Sequence, residues 1–364
     1  MGMKVRKNFS KIGGIYFIGS LLIILTQMIA MQILWATSPN LASDSNVVLI
    51  ISSISGYVIS VPFMAWLMKY VKTPSLYKEN AELESDQTAS PNESTYDTEI
   101  ESEQPGLTSV APAQKHMNFG RWFLAFLMSY SLVYVSNFIG LFLTNIIASY
   151  KGAPVQNPLD GIVSEISPWT ALLAMVIMAP IAEEFLFRKI LIDRVKCYGE
   201  GAAVFLSGLM FGAMHGNLNQ FVYAFSLGLF FGFIYVKTGK LRYTIFLHAA
   251  VNFFGSIPGM LLTRSEAFEK LSSFTGNIPE LGALLAEHGQ TIVLIYVYLI
   301  LTGLMVIAGL VCWILSFRKM HCQPGILKEM GLKAGGKVNV MILNVGMLAY
   351  LVFWIIQMVK QAMI

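Results

Sequence analysis

Two adjacent carboxylates, Glu183 and Glu184, stand in an apolar run that begins at Trp169, and chemistry could start there. At the helical rise Glu183 lies about 21 Å from Trp169, inside a hydrocarbon core about 30 Å thick. Acids at that depth are costly, and membrane helices carry them for a purpose. Successive helix positions point about 100° apart, so the two cannot share one task. Glu184 and Arg188 are four apart with the acid first, the favourable ion-pair orientation. Glu183 has no such neighbour. The pattern predicts Glu183 as the reagent and Glu184 with Arg188 as its brace.

Three more polar residues interrupt apolar stretches in the same region. His248 and Asn252 are four apart and share one helix face, while His215 ends Phe211-Gly212-Ala213-Met214-His215 on another helix. Each has a bland account when taken singly. A lone histidine at a helix end is usually a hydrogen-bonded core residue, Glu184–Arg188 a structural ion pair, and Asn252 a link between helices. Together, an acid, two imidazoles and a carboxamide are a kit for activating water against an amide. A partly desolvated carboxylate can take a proton from water. One histidine can orient that water or share a metal. The other, with the amide, can donate to the oxyanion of a tetrahedral intermediate, a contact worth about 3–4 kcal/mol.

The elements that must position these residues are membrane helices. Of the 364 residues 55% are hydrophobic and 13% charged, with a mean hydropathy of +0.62. Soluble domains carry about 25% charged residues. The net charge of +4 argues for no nucleic acid, and the basic residues flank apolar runs, where they set orientation. Cys197, Cys312 and Cys322 have neither disulfide nor metal spacing. Lys4, Arg6, Lys7 and Lys11 precede a first span, 13–35, read as a retained helix with the N-terminus in the cytoplasm. Further spans are expected at 47–68, 122–147, 169–188, 202–214, 218–236, 243–257, 292–317 and 340–358. The fold class is therefore an all-α polytopic bundle of eight to nine helices in the plasma membrane. The 202–214 run is shorter than the roughly 17 residues that cross a bilayer.

The chain divides into an N-terminal two-helix segment (1–68), an acidic cytoplasmic loop (69–120), a core carrying the motifs (121–257), an outer amphipathic segment (258–290) and a C-terminal two-helix segment (291–364). Nine acids between Glu79 and Glu103 leave that loop unable to bury a core, and it reads as a disordered spacer. Asn157-Pro158-Leu159-Asp160-Gly161 is similar to the second motif of site-2-type metalloproteases. The His-Glu-x-x-His partner is missing, so the string reads as a turn.

Glu-Glu-x-x-x-Arg (183–188), Phe-x-x-x-His (211–215) and His-x-x-x-Asn (248–252), in that order, resemble the motifs of the CAAX-protease and bacteriocin-processing family (CPBP, or Abi), which includes the Ras-converting type of CAAX prenyl endopeptidase. Each motif alone is weak, but three in order within about seventy residues are strong. The likeness covers about Trp169 to Gly255, under a third of the chain. It implies a helical membrane bundle with an intramembrane cavity, Glu183 as general base, and His215 positioning water or metal. It further implies His248 and Asn252 on the oxyanion side, with Glu184 and Arg188 in support. Glu183, His215 and His248 also make a three-ligand set with an open position, so zinc and a metal-free glutamate-activated water remain alternatives.

The reading is an intramembrane endopeptidase acting on membrane-associated peptides or proteins. A non-catalytic protein of the same fold, such as a bacteriocin self-immunity factor or scaffold, is the runner-up. A proton-relay transporter is a third class, opposed by the lack of an inverted repeat. The chain has no Gly-x-Ser-Gly, no Gly-Asp pair and no C-terminal Cys-a-a-X box.

Overall fold

The computed structural model describes residues 2–73, 116–155 and 158–363, and those residues contain helices and no strand. The acidic stretch Glu79–Glu103 lies outside them, as does Asn157. In chain order the main elements, leaving aside the short helices Pro39–Ala42, Ile326–Glu329 and Ala334–Met341, are α1 (Gly2–Thr37), α2 (Ser45–Met68), α3 (Phe119–Lys151), the short α4 (Pro158–Glu165), α5 (Pro168–Tyr198) and α6 (Glu200–Met214). They continue with α7 (Leu218–Thr238), α8 (Leu241–Thr263), the short α9 (Glu266–Ser272), α10 (Ile278–Ser316) and α11 (Val345–Met363). Among the described residues eight helices, all but α4, α6 and α9, are long and apolar enough to cross a membrane. The chain is an integral membrane protein, as composition predicts. Large apolar side chains such as Phe138, Phe142, Val293 and Ile314 face outward, which suits lipid and not water.

Local chemistry sets the helix ends. Asp44, Asn118, Ser167, Asn217 and Ser265 each accept a backbone N–H in the first turn that follows. Gly152 and Gly239 close α3 and α7 in the left-handed conformation.

Hydrogen bonds tie the helix ends into two opposite layers. At one end the Asn8 amide donates to the Lys72 carbonyl and to the Tyr198 hydroxyl, both at 2.9 Å, and Arg6 Nη2 donates to the Leu343 carbonyl at 2.6 Å. Lys237 pairs with Glu200, whose carboxylate also accepts from the Gln323 N–H at 2.7 Å. This end gathers the basic flanks of the chain. At the other end the Ser167 N–H donates to Asn46 Oδ1 at 2.6 Å, and Arg264 Nη2 reaches the carbonyls of Val163, Ser164 and Ile166. The Pro-Leu-Asp-Gly string expected as a turn opens α4, because proline suits a first helical position. The expected outer segment is also more helical than its hydropathy suggests, with α8 running to Thr263 and α10 starting at Ile278. Lys270 pairs with Glu266 within α9 (2.9 Å) and joins α9 to α10 through Glu287 (3.1 Å) and His288 (3.1 Å), beside the non-helical backbone of His288.

α5 and α6 form a hairpin hinged at Gly199, whose φ of +127° is one that glycine alone adopts without strain. The fifteen residues of α6 rise about 22 Å, too little to cross the membrane. Its turn into α7 therefore stays inside the bundle, with Asn217, Asn219 and Gln220 buried. Non-helical backbone at that depth is tolerated because protein surrounds it. α6 and α7 cross closely through small residues: a Cβ on Gly228 would sit 2.8 Å from the Gly208 Cα. Gly228→Val should accordingly overpack this crossing and cost about 1–3 kcal/mol, read as a lower melting temperature in detergent. Gly255→Ala, on α8 with open space around it, should leave melting unchanged or raise it.

Candidate active site

α5 is not a uniform helix. Leu172–Met178 and Phe185–Ile192 are π-helical and flank an α-helical turn, Ala179–Glu184, that carries both glutamates. Such widened turns recur at functional sites. Here they present backbone carbonyls to neighbouring helices. The Asn252 amide donates to the Met175 carbonyl at 2.8 Å, the Tyr16 hydroxyl to Leu186 at 2.6 Å, and the Ser207 hydroxyl to Phe187 at 2.9 Å. Three helices thereby fix the rotation of α5 on either side of Glu183.

Glu184 lies at the centre of the bonding. Arg188 grips it through Nε at 2.9 Å and Nη2 at 3.1 Å, and both side chains are wholly buried. The third arm of the guanidinium donates to Ser207 Oγ on α6 at 2.8 Å, and its carbon lies 4.9 Å from the centre of the Phe211 ring. On its other side Glu184 accepts His248 Nδ1 from α8 at 3.1 Å. An ionised carboxylate only accepts, so Nδ1 carries a proton, and in the neutral ring the lone pair is on Nε2. That Nε2 stands 3.8 Å from Glu183 Oε2. The sequence reading gave Glu184 the partner Arg188; the structure adds His248.

Glu183 is 8% exposed and turned away from Arg188, as the 100° step predicts. Its carboxylate accepts the Tyr57 hydroxyl of α2 at 3.2 Å, a partner that local spacing could not disclose. One signal for Tyr57 was present: it sits near the middle of a membrane helix, whereas membrane tyrosines concentrate at the interfaces. His215 caps α6 with Nδ1 on the Phe211 carbonyl at 2.9 Å, which likewise leaves Nε2 as the free nitrogen. The Phe211 ring packs against both imidazoles, with centroids 5.0 Å from His215 and 5.7 Å from His248.

The depth of these groups differs from the sequence expectation. Arg188 was counted with the basic flank, but its buried pairing puts it inside the bundle, and α5 ends ten residues later at Tyr198. Glu183 and His215 are each sixteen residues from Gly199 on opposite arms of the hairpin, about 24 Å at the helical rise. They therefore come level. Asn252 shares a face with His248 as expected, and its amide is engaged by α5 at Met175.

Two imidazole nitrogens and a carboxylate suit zinc chemically. Their donor atoms, however, do not all fall within 4.8 Å of one another, and ligands of one tetrahedral ion lie about 3.3 Å apart. As placed, the trio does not fit an ion. Among the described residues Glu266, Glu287 and His288 bring three such atoms within 4.8 Å of one another, and Lys270 bonds to all three.

Residues 165–254, which hold every motif residue above, match the family model described as type II CAAX prenyl endopeptidase Rce1-like. Over 87 residues the chain is 30% identical to the Bacillus subtilis protein named "Putative membrane peptidase YdiL". That match covers 23% of this chain and 34% of the relative, so the chain spans about a third of the curated relative it matches. No solved structure matches the chain.

Removing one partner of a buried ion pair strands the other. Arg188→Ala should lower stability by about 3–5 kcal/mol, and Ser207→Ala by about 1–2 kcal/mol. Melting of the purified variants in detergent checks both values, and wild-type melting of Arg188→Ala would contradict the bracing role.

Proposed function

We propose that this chain, Rce1-like over residues 165–254, is an intramembrane endopeptidase that hydrolyses membrane-associated peptides or proteins with a glutamate-activated water. The observation that carries the reading is the pairing of Glu183 with the free Nε2 of His248, 3.8 Å apart, in the bundle interior. A water oxygen about 2.8 Å from each atom fits that separation. Glu183 takes the proton of this water as its oxygen adds to the scissile carbonyl carbon. His248 Nε2, held in place by Glu184 through Nδ1, then receives that proton from Glu183 and becomes a donor toward the oxyanion. His215 offers its own Nε2 to orient the water. The proton finally passes to the leaving amine, and the acyl product departs as a carboxylic acid.

By positive-inside bias the basic end of the bundle faces the cytoplasm of the plasma membrane, with the N-terminus on that side. Substrate is then cut on its cytoplasmic side. The family description makes a prenylated Cys-a-a-X tail the first probe to use.

Full-length protein in proteoliposomes should cleave an internally quenched peptide ending in a farnesylated Cys-a-a-X sequence. Glu183→Gln and His215→Ala should each lose 100-fold or more in kcat while protein abundance and melting stay at wild-type values. Wild-type cleavage by Glu183→Gln would overturn the role of Glu183 as general base, and absence of cleavage by the wild-type protein would favour a scaffold.

A further inference from the structure

We infer that Tyr57 is a positioning residue for Glu183, so that α2, outside the 165–254 segment, completes the site. The inference rests on the hydrolytic reading above and adds to it a residue from the N-terminal pair of helices.

The geometry is direct. Tyr57 Oη donates to Glu183 Oε1 at 3.2 Å, and it is the hydrogen-bond donor to that carboxylate among the described residues. The cations and donors nearby are otherwise spent: Arg188 on Glu184 and Ser207, and His248 Nδ1 on Glu184. Tyr57 lies twelve residues after Ser45 and eleven before Met68, so its hydroxyl sits near the bilayer midplane. A hydroxyl at that depth must find an acceptor within the protein. Glu183 is that acceptor.

The consequence for chemistry follows from torsion. The terminal torsion of a glutamate is broad and nearly two-fold, so an unanchored carboxylate would present either oxygen in many orientations. With Oε1 tied to Tyr57, the carboxylate plane is set and Oε2 is the oxygen that points toward His248 Nε2 at 3.8 Å. Tyr57 thus selects which oxygen meets the water. It touches neither substrate nor water itself.

Tyr57→Phe removes the hydroxyl and keeps the ring. In full-length protein, kcat on the farnesylated quenched peptide should fall about tenfold to a hundredfold, the range for losing a hydrogen bond to a charged group. KM should stay within about twofold and melting should be unchanged. Infrared spectra supply a readout that needs no turnover: the carboxylate stretching band lost in Glu183→Gln should move in Tyr57→Phe. A band that does not move, or a kcat within twofold of wild type, overturns the proposal. So does lowered melting with normal turnover per folded molecule, which marks a packing role. If the band moves while wild-type protein leaves the peptide uncut, the Tyr57–Glu183 bond stands and the proteolytic reading falls.

Discussion

The arrangement depends on one buried charge pair. Arg188 cannot shed its proton, and it has no solvent around it. In a bilayer interior such a group persists only if a carboxylate and further acceptors surround it. Glu184 supplies two oxygens, Ser207 a third, and Phe211 an aromatic face. Each of these partners is thereby placed. Glu184 Oε1, already bonded to Arg188 Nη2, also accepts from His248 on α8 and fixes its Nδ1 proton; Ser207 binds α6 to the widened turn of α5; Phe211 packs against both imidazoles. The chemically idle acid organises the reactive one.

Depth is the second constraint. A helix that crosses the whole bilayer would carry His215 to the far surface. α6 stops after fifteen residues, and its buried turn holds the imidazole level with Glu183. The small residues at Gly208 and Gly228 let α7 return close beside α6. The short span is therefore a requirement of the site and not a defect of the topology.

How much of this was legible in the sequence follows from the range of each interaction. The Glu184–Arg188 pair was legible because it lies within one helix at a spacing that fixes its geometry. The opposed directions of Glu183 and Glu184 were legible for the same reason. His248 on Glu184 was not, since it depends on the relative depth of α5 and α8, which hydropathy gives only to within a turn or two. Tyr57 was hidden for a similar reason: nothing in α2 alone says which helix it faces. Arg188 was misplaced because a basic residue beside a basic cluster counts toward the interface unless its pairing is weighed first. The π-helical turns of α5 had no signature in residue type; they are visible only through the carbonyls that Asn252, Tyr16 and Ser207 reach.

That the central ion pair closes within a single helix also bears on how the protein enters the bilayer. A helix leaving the translocation machinery meets lipid before it meets its neighbours, and each unpaired charge at its centre costs about 2.5–3.5 kcal/mol on insertion scales. Glu184 and Arg188, one turn apart on α5, neutralise each other with no help from another segment. Of the three charges nearest its centre, the helix can therefore partition as if it carried one, that of Glu183. Its apolar length offsets that single cost until it packs against α2, which precedes it, and α8 follows. Had the arginine been placed on α6 or α7, α5 would have had to wait in water for its counter-charge.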